Sequence, residues 1–171
     1  YDFDPEKAKA LVADFVKETG IKKPKIVLST NATYIDIGEF LQREWQKIGL
    51  DVEIDVNPPS TLRQAIATGK VTFFRASWIA DYPDAENYLS LFYSKNFAPN
   101  GPNYTHFSNP KFDALYEKAF LETDDAKRFE LYQQMDQIII EEAPVIPLFY
   151  DKVARFTRKN VEGLGINPLN L

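Results

Sequence analysis

The 171-residue sequence has no cysteine. Disulfide scaffolds, thiolate metal sites and a cysteine nucleophile are therefore excluded, while the redox compartment stays open. Histidine is nearly as scarce, with His106 alone. A single imidazole cannot build a histidine metal cluster, and this one reads as a loop residue rather than a catalyst. Positive charge is in the minority, 20 Lys+Arg against 25 Asp+Glu, for a net charge of −5. A dedicated nucleic-acid module needs a basic face, and Lys22, Lys23 and Lys25 are too few to make one. No apolar run approaches the roughly 18 residues of a membrane span. The opening stretch, YDFDPEKAKA, lacks the pattern of a signal peptide, so none is expected in it. Gly69, Gly163 and Gly165 stand outside any phosphate-loop or dinucleotide context.

What is present is ordinary globular composition, 44% hydrophobic and 26% charged, with the length of one domain, taken as residues 1–171. Aromatics are rich at 14%, with 13 Phe, 9 Tyr and 2 Trp. Most of these rings fill a core, and a minority is expected to face a ligand or partner.

The chain alternates strand and helix signals. Asp4 and Pro5 open a first helix that Gly20 stops, with Ala8, Leu11, Val12 and Phe15 on its inner face. Ile26–Leu28 reads as a buried strand. A second helix carries Ile37, Phe40, Leu41, Trp45 and Ile48 to Gly49. Val52, Ile54 and Val56 alternate as a half-buried strand. Ser60 is expected to cap a short helix, and a third strand is expected from about Val71 to Trp78. Pro83–Tyr93 reads as one helical segment, followed by a loop through Ser108. Asn109-Pro110 opens a helix with Phe112, Leu115, Tyr116, Ala119 and Phe120 inward. Asp125–Glu142 is the last long helix, with Phe129, Tyr132, Met135 and Ile139 inward. Val145–Tyr150 resembles a strand that Pro147 confines to an edge, and Lys159–Leu171 reads as irregular chain. The alternation predicts an α/β layered domain, its sheet mostly parallel with helices on both faces.

Ligands of open α/β sheets bind beyond the carboxyl ends of the strands. The segment from Arg75 to Asp84 falls there, offering a guanidinium, an indole, a hydroxyl and two carboxylates. A carboxylate can hold an ammonium, and Arg75 can hold a carboxylate through paired hydrogen bonds. A ligand carrying both charges, such as a peptide or amino acid, matches. The residues alone leave other readings open: Asp81 or Asp84 as a helix cap, Arg75 in a surface ion pair, or Asp81, Asp84 and Glu86 as a hard-metal site or hydrolytic carboxylate pair.

At this segment, RASWIADYPDAENYL resembles the C-terminal lobe of extracytoplasmic solute-binding proteins of the peptide/nickel/oligopeptide type (family 5), the binding components of ABC importers. The phrases YDFDPEKAKALV, FLQREWQKIGLDVEI, NPKFDALYEKA, RFELYQQMDQIIIEEAPVIPLFY and KNVEGLGINP resemble the family in the same order. The resemblance implies a periplasmic-binding-protein-like lobe of a longer two-lobed receptor, whose tail returns toward the first lobe. It implies that Asp81 pairs with a peptide α-amino group, that Arg75 meets a peptide carboxylate, and that Ser77 and Trp78 line the same wall. Ser77 stands where relatives commonly have glycine. Asn103 and Tyr104 lie in a loop that could reach the cleft. The implied partners are a di- or oligopeptide, the first lobe and a membrane permease, with no nucleic acid, cofactor, metal or catalysis. The implied location is periplasmic or cell-surface, lipoprotein-anchored in the longer protein. A nickel chelate, an oligosaccharide or a signalling peptide stands as an alternative ligand, and a carboxylate-based hydrolase or a pure interaction domain as alternative functions. Trp78 is expected to be partly exposed on a concave wall, and Trp45 buried.

Overall fold

The computed structural model describes residues 3–152, 154, 156–163 and 165. Part of the tail phrase KNVEGLGINP, and with it the expected return toward a first lobe, lies outside the described residues. Two compact units make up the chain, residues 1–77 and 78–171.

The first unit begins with helix α1, Pro5–Thr19. Its ends are written locally. The Asp4 carboxylate accepts from the Lys7 amide, Pro5 occupies the first turn, and Gly20 closes the helix at φ 73°. That left-handed backbone is strained for a residue with a Cβ. Strand β1, Lys25–Thr30, pairs in parallel with β2, Asp51–Val56, in a register that sets Leu28 against Ile54. Helix α2, Ile35–Gln46, crosses over between them and lies on the sheet. Its buried Gly38 packs near Leu28 and Ile54, and the Gln42 side chain donates to the Val52 carbonyl. Helix α3, Pro59–Ala67, buries Leu62 and Ile66.

Several expectations are corrected in this unit. The third strand reduces to one bridge, Phe74 beside Ser29: the chain bends at Thr72 and Phe73, pairs once, and leaves with Ala76 and Ser77 exposed. Ser60 is no cap, because the helix already starts at Pro59. Trp45 is half-buried rather than buried, its ring tilted against Phe73 at 5.6 Å. Leu11, Phe15 and Phe40 are exposed.

The second unit is helical. Helix α4 is only Glu86–Leu89, continued by a 3-10 turn at Ser90–Phe92, and not one helix from Pro83. The Asp84 side chain accepts from the Glu86 amide and so sets the start. Helix α5, Pro110–Leu121, is capped by the Asn109 side chain, and α6, Asp125–Glu142, by Asp124. They pack as a pair around Phe112, Tyr116, Met135 and Ile139, with Leu89, Phe92 and Phe107 completing the core. Phe120 and Phe129, expected inward, are 75% and 52% exposed. Both lie near the α5–α6 connection and stay open to solvent. Val145–Tyr150 forms no strand, because no described segment pairs with it.

Candidate functional site

The segment singled out in the sequence straddles the two units: Arg75 and Ser77 end the first, and Trp78 and Asp81 open the second. Each side is built by its own unit.

In the first unit the carboxyl ends of β1 and β2 carry Ser29, Asn31, Asp55 and Asn57. The Asp55 carboxylate is already engaged, accepting from Ser29 Oγ at 3.3 Å and Asn57 Nδ2 at 2.7 Å. After β1, the Asn31 side chain caps a 3-10 turn, Ala32–Tyr34. Arg75 is fixed next to this end, its amide donating to the Ser29 carbonyl at 3.0 Å. Its guanidinium lies 3.3 Å from the centroid of the Tyr34 ring, and Nη1 donates to Ser77 Oγ at 3.3 Å. Among the described residues of this unit, no carboxylate reaches ion-pairing distance of Arg75. A planar cation stacked on a ring, with unpaired donors at the carboxyl end of a parallel sheet, is suited to an oxyanion.

In the second unit the organising residue is Asn87, which the sequence reading passed over. It is 4% exposed in α4. Its Oδ1 accepts from Trp78 Nε1 at 2.7 Å and from the Asp81 amide at 3.1 Å, and its Nδ2 faces Asp81 Oδ2 at 3.5 Å. Trp78 is thereby held half-buried, as expected, and Asp81 stays exposed. A signal for Asn87 existed: an amide on the first turn of a short helix, six residues after an acid and nine after an indole.

The other acids of the segment are turned inward. Asp84 Oδ1 accepts from Tyr132 Oη at 3.0 Å as well as from the Glu86 amide, and its Oδ2 lies 3.4 Å from Arg128. Glu86 accepts from the phenols of Tyr82 and Tyr116. Burial, reinforced by the bond to Asp84, pushes Tyr132 up to about 12. Burial and then Glu86 raise Tyr116, and Glu86 raises Tyr82. These phenols therefore stay neutral donors at physiological pH. Among the described residues of its unit, Asp81 alone of the three acids has neither a phenol nor a cation as partner. Among the described residues no cluster of acids and histidine could hold a metal ion.

Asn103 is corrected. It was expected to reach a cleft, but it is fully buried and bound to its own loop. Its Nδ2 donates to the carbonyls of Tyr93 and Phe107, and its Oδ1 accepts from Thr105 Oγ1 and the Phe107 amide. The backbone of Gly101 passes so close to the Asn96 carbonyl that a Cβ would stand 2.5 Å from it, so only glycine fits there. Tyr104, by contrast, is 40% exposed. His106 is a loop residue, as read, with Nε2 at 3.1 Å from the Ala98 carbonyl and its ring stacked on Phe97.

The family described as bacterial extracellular solute-binding proteins, family 5 (Middle), matches residues 1–100, which take in the first unit and the Trp78–Asn87 turn. The chain belongs to this family. Among family 5 relatives, the oligopeptide-binding protein OppA of Bacillus subtilis is 32% identical over 170 residues, 95% of this chain and 31% of that protein. The probable deoxycholate-binding periplasmic protein YgiS of Escherichia coli is 34% identical over 130 residues, 75% of this chain and 24% of that one. The solved structure of the periplasmic binding protein DppA from Helicobacter pylori, in complex with the peptide STSA, aligns at a TM-score of 0.74 and 30% identity, over 84% of this chain and 28% of that one. The fold is thus that of periplasmic binding proteins, helix-rich with a small parallel sheet. The chain spans less than a third of the length of these relatives. Among the described residues, no helix is long and apolar enough to cross a membrane.

Proposed function

We propose that this chain, residues 1–171, is the C-terminal lobe of a two-lobed receptor that delivers peptides to an ABC importer, and that it supplies one wall of the peptide cleft without catalysing a reaction. In this reading Asp81 pairs with the peptide α-amino group and Arg75 with a peptide carboxylate, while Ser77, Trp78 and Tyr104 line the wall. The observation that carries it is the state of Asp81, an exposed carboxylate without a cation among the described residues of its unit, on a turn anchored by a buried amide. The resemblance to OppA and to the peptide-bound DppA structure supports the ligand class. The partners are then a first lobe and a membrane permease, outside the cytoplasm and anchored by a lipid.

The test is calorimetric titration of the intact receptor with a peptide and its N-acetylated form. Tight binding of the free amine, lost by more than about 30-fold on Asp81→Ala, supports the reading, since removing one partner of a desolvated charge pair costs about 2 kcal/mol or more. Equal binding of both forms overturns the ammonium anchor. A second reading, an amphipathic carboxylate such as a bile acid, draws on the relative YgiS and on Arg75 having no acidic partner among the described residues of its unit. It predicts binding that depends on Arg75 and not on Asp81.

A further inference from the structure

The carboxamide of Asn87 can face only one way. Its Oδ1 is approached by two N–H groups, from the Trp78 indole at 2.7 Å and the Asp81 main chain at 3.1 Å. A flipped amide would aim its own N–H bonds at those donors, so the amide oxygen must stay where it is. With both oxygen lone pairs occupied, the orientation of the NH2 follows, and it faces Asp81 Oδ2. One buried group therefore sets three things together: the plane of the indole, the backbone entering Asp81, and one edge of its carboxylate. The other carboxylate oxygen has no partner among the described residues of the unit. The side chain is itself braced. The Asn87 amide donates to the Asp84 carbonyl, the Asn87 carbonyl accepts from Ser90 Oγ, and Asp84 and Glu86, which precede it, are tied to Tyr132 and to Tyr82 and Tyr116.

We propose that Asn87 is a positioning residue, which locks Trp78 and Asp81 into one rigid element and so sets the selectivity of the site for ligands with a free amino group. The proposal rests on Asp81 being the ammonium anchor. Asn87 itself touches no ligand. Its influence is preorganisation: a carboxylate already fixed loses less freedom on capturing an ammonium.

The test uses the intact receptor with Asn87→Leu and Asn87→Asp, with trialanine and N-acetyl-trialanine as probes. Two signals are read: the Trp78 indole N–H resonance, with Trp45 as internal reference, and the ratio of the two affinities. Asn87→Leu removes the acceptor, so the Trp78 resonance moves upfield while that of Trp45 stays. The preference for the free amine falls by about 30-fold, the effect expected of two hydrogen bonds. Asn87→Asp keeps an acceptor oxygen for the indole but puts a carboxylate where the NH2 faces Asp81, so the Trp78 resonance stays at or downfield of its wild-type position while the wild-type preference is not restored. A residue that mattered only for folding would lower the melting temperature of both variants and leave the affinity ratio alone. An unmoved Trp78 resonance in Asn87→Leu, or an unchanged affinity ratio beside a moved resonance, overturns the proposal. If the wild-type receptor binds neither probe, the peptide reading fails, and with it the selectivity assigned to Asn87, while a shifted resonance still upholds the lock on Trp78.

Discussion

Asn87 and Asn103 are 4% and 0% exposed, and in each the carboxamide is fixed by partners on both its oxygen and its nitrogen. The partners differ in kind. Asn103 joins main-chain groups of Tyr93 and Phe107 within one loop, so its bonds are consumed in giving that loop its shape. Asn87 joins an indole, the amide of an acid and the acid itself, all on the face that remains open. A buried amide is thus either a scaffold or a mount, and burial alone does not say which. The same division separates Asp84, turned toward Tyr132 and Arg128, from Asp81, turned to solvent.

Two substitutions pull this comparison apart most strongly. Asn103→Leu removes four hydrogen bonds and strands the carbonyl of Phe107, while that of Tyr93 keeps its bond from the Asn96 amide, so unfolding stability should fall by about 3–4 kcal/mol at about 1 kcal/mol for each bond. Urea unfolding checks this, and a loss under 1 kcal/mol would deny the loop its brace. The preference for a free amine over its acetylated form should not change. Asp81→Ala should do the reverse. Stability should move by no more than about 0.5 kcal/mol, as for an exposed position away from the core, while amine affinity falls by about 2 kcal/mol or more. If both substitutions affect the same property, the distinction between scaffold and mount is lost.

Much of this was readable in advance where the signal is local. Helices α1, α5 and α6 begin and end near where Asp4-Pro5, Gly20, Asn109-Pro110 and Pro144 place them, because a cap and its helix share a few residues. Pairing is not local. The run from Val71 to Trp78 has the residues of a strand, but whether a neighbour pairs with one residue or six is decided elsewhere in the chain. Exposure failed similarly at Phe120 and Phe129, since helical spacing tells which residues share a face and not what covers it. Of the proposed site, Arg75, Trp78 and Asp81 can be singled out in the sequence because their chemistry is visible in their side chains. Asn87 and Tyr34 escape notice because what marks them is their contact with those residues, which only the fold shows. Asn103 was overread because a polar loop residue looks the same in sequence whether it binds a ligand or its own backbone.

Asp84 and its phenol give the next largest expected effect. Tyr132 is pushed up to about 12 by burial and by its bond to Asp84, and Tyr116 is raised by burial and then by Glu86. Raised values mean that folding favours the neutral phenols. Their contribution is complete below the ordinary tyrosine value of about 10 and is lost as pH rises above it, for Tyr132 through about 12. Urea midpoints measured from pH 9 to 11.5 should fall steeply in the wild type. In Tyr132→Phe the fall should be shallower, beginning from a stability about 1 kcal/mol lower at neutral pH. An equally steep alkaline fall would show that Tyr132 does not titrate with unfolding, and that Asp84 is less inward-turned than its contacts indicate.

The smallest effect belongs to Tyr34, which mounts an arginine by a ring face rather than by an amide. Its ring lies 3.3 Å under the Arg75 guanidinium. Stacking of this kind is worth about 0.5–1 kcal/mol where water has access. Tyr34→Leu should therefore weaken binding of a peptide with a free carboxylate by roughly 2- to 5-fold. Binding of the C-terminal amide of that peptide should be unaffected, and Tyr34→Phe, which keeps the ring, should restore the loss. Calorimetric titration resolves differences of this size. A loss shared equally by acid and amide would mean that the ring itself touches the ligand, and the contrast between the two mounts would then hold only for the aspartate.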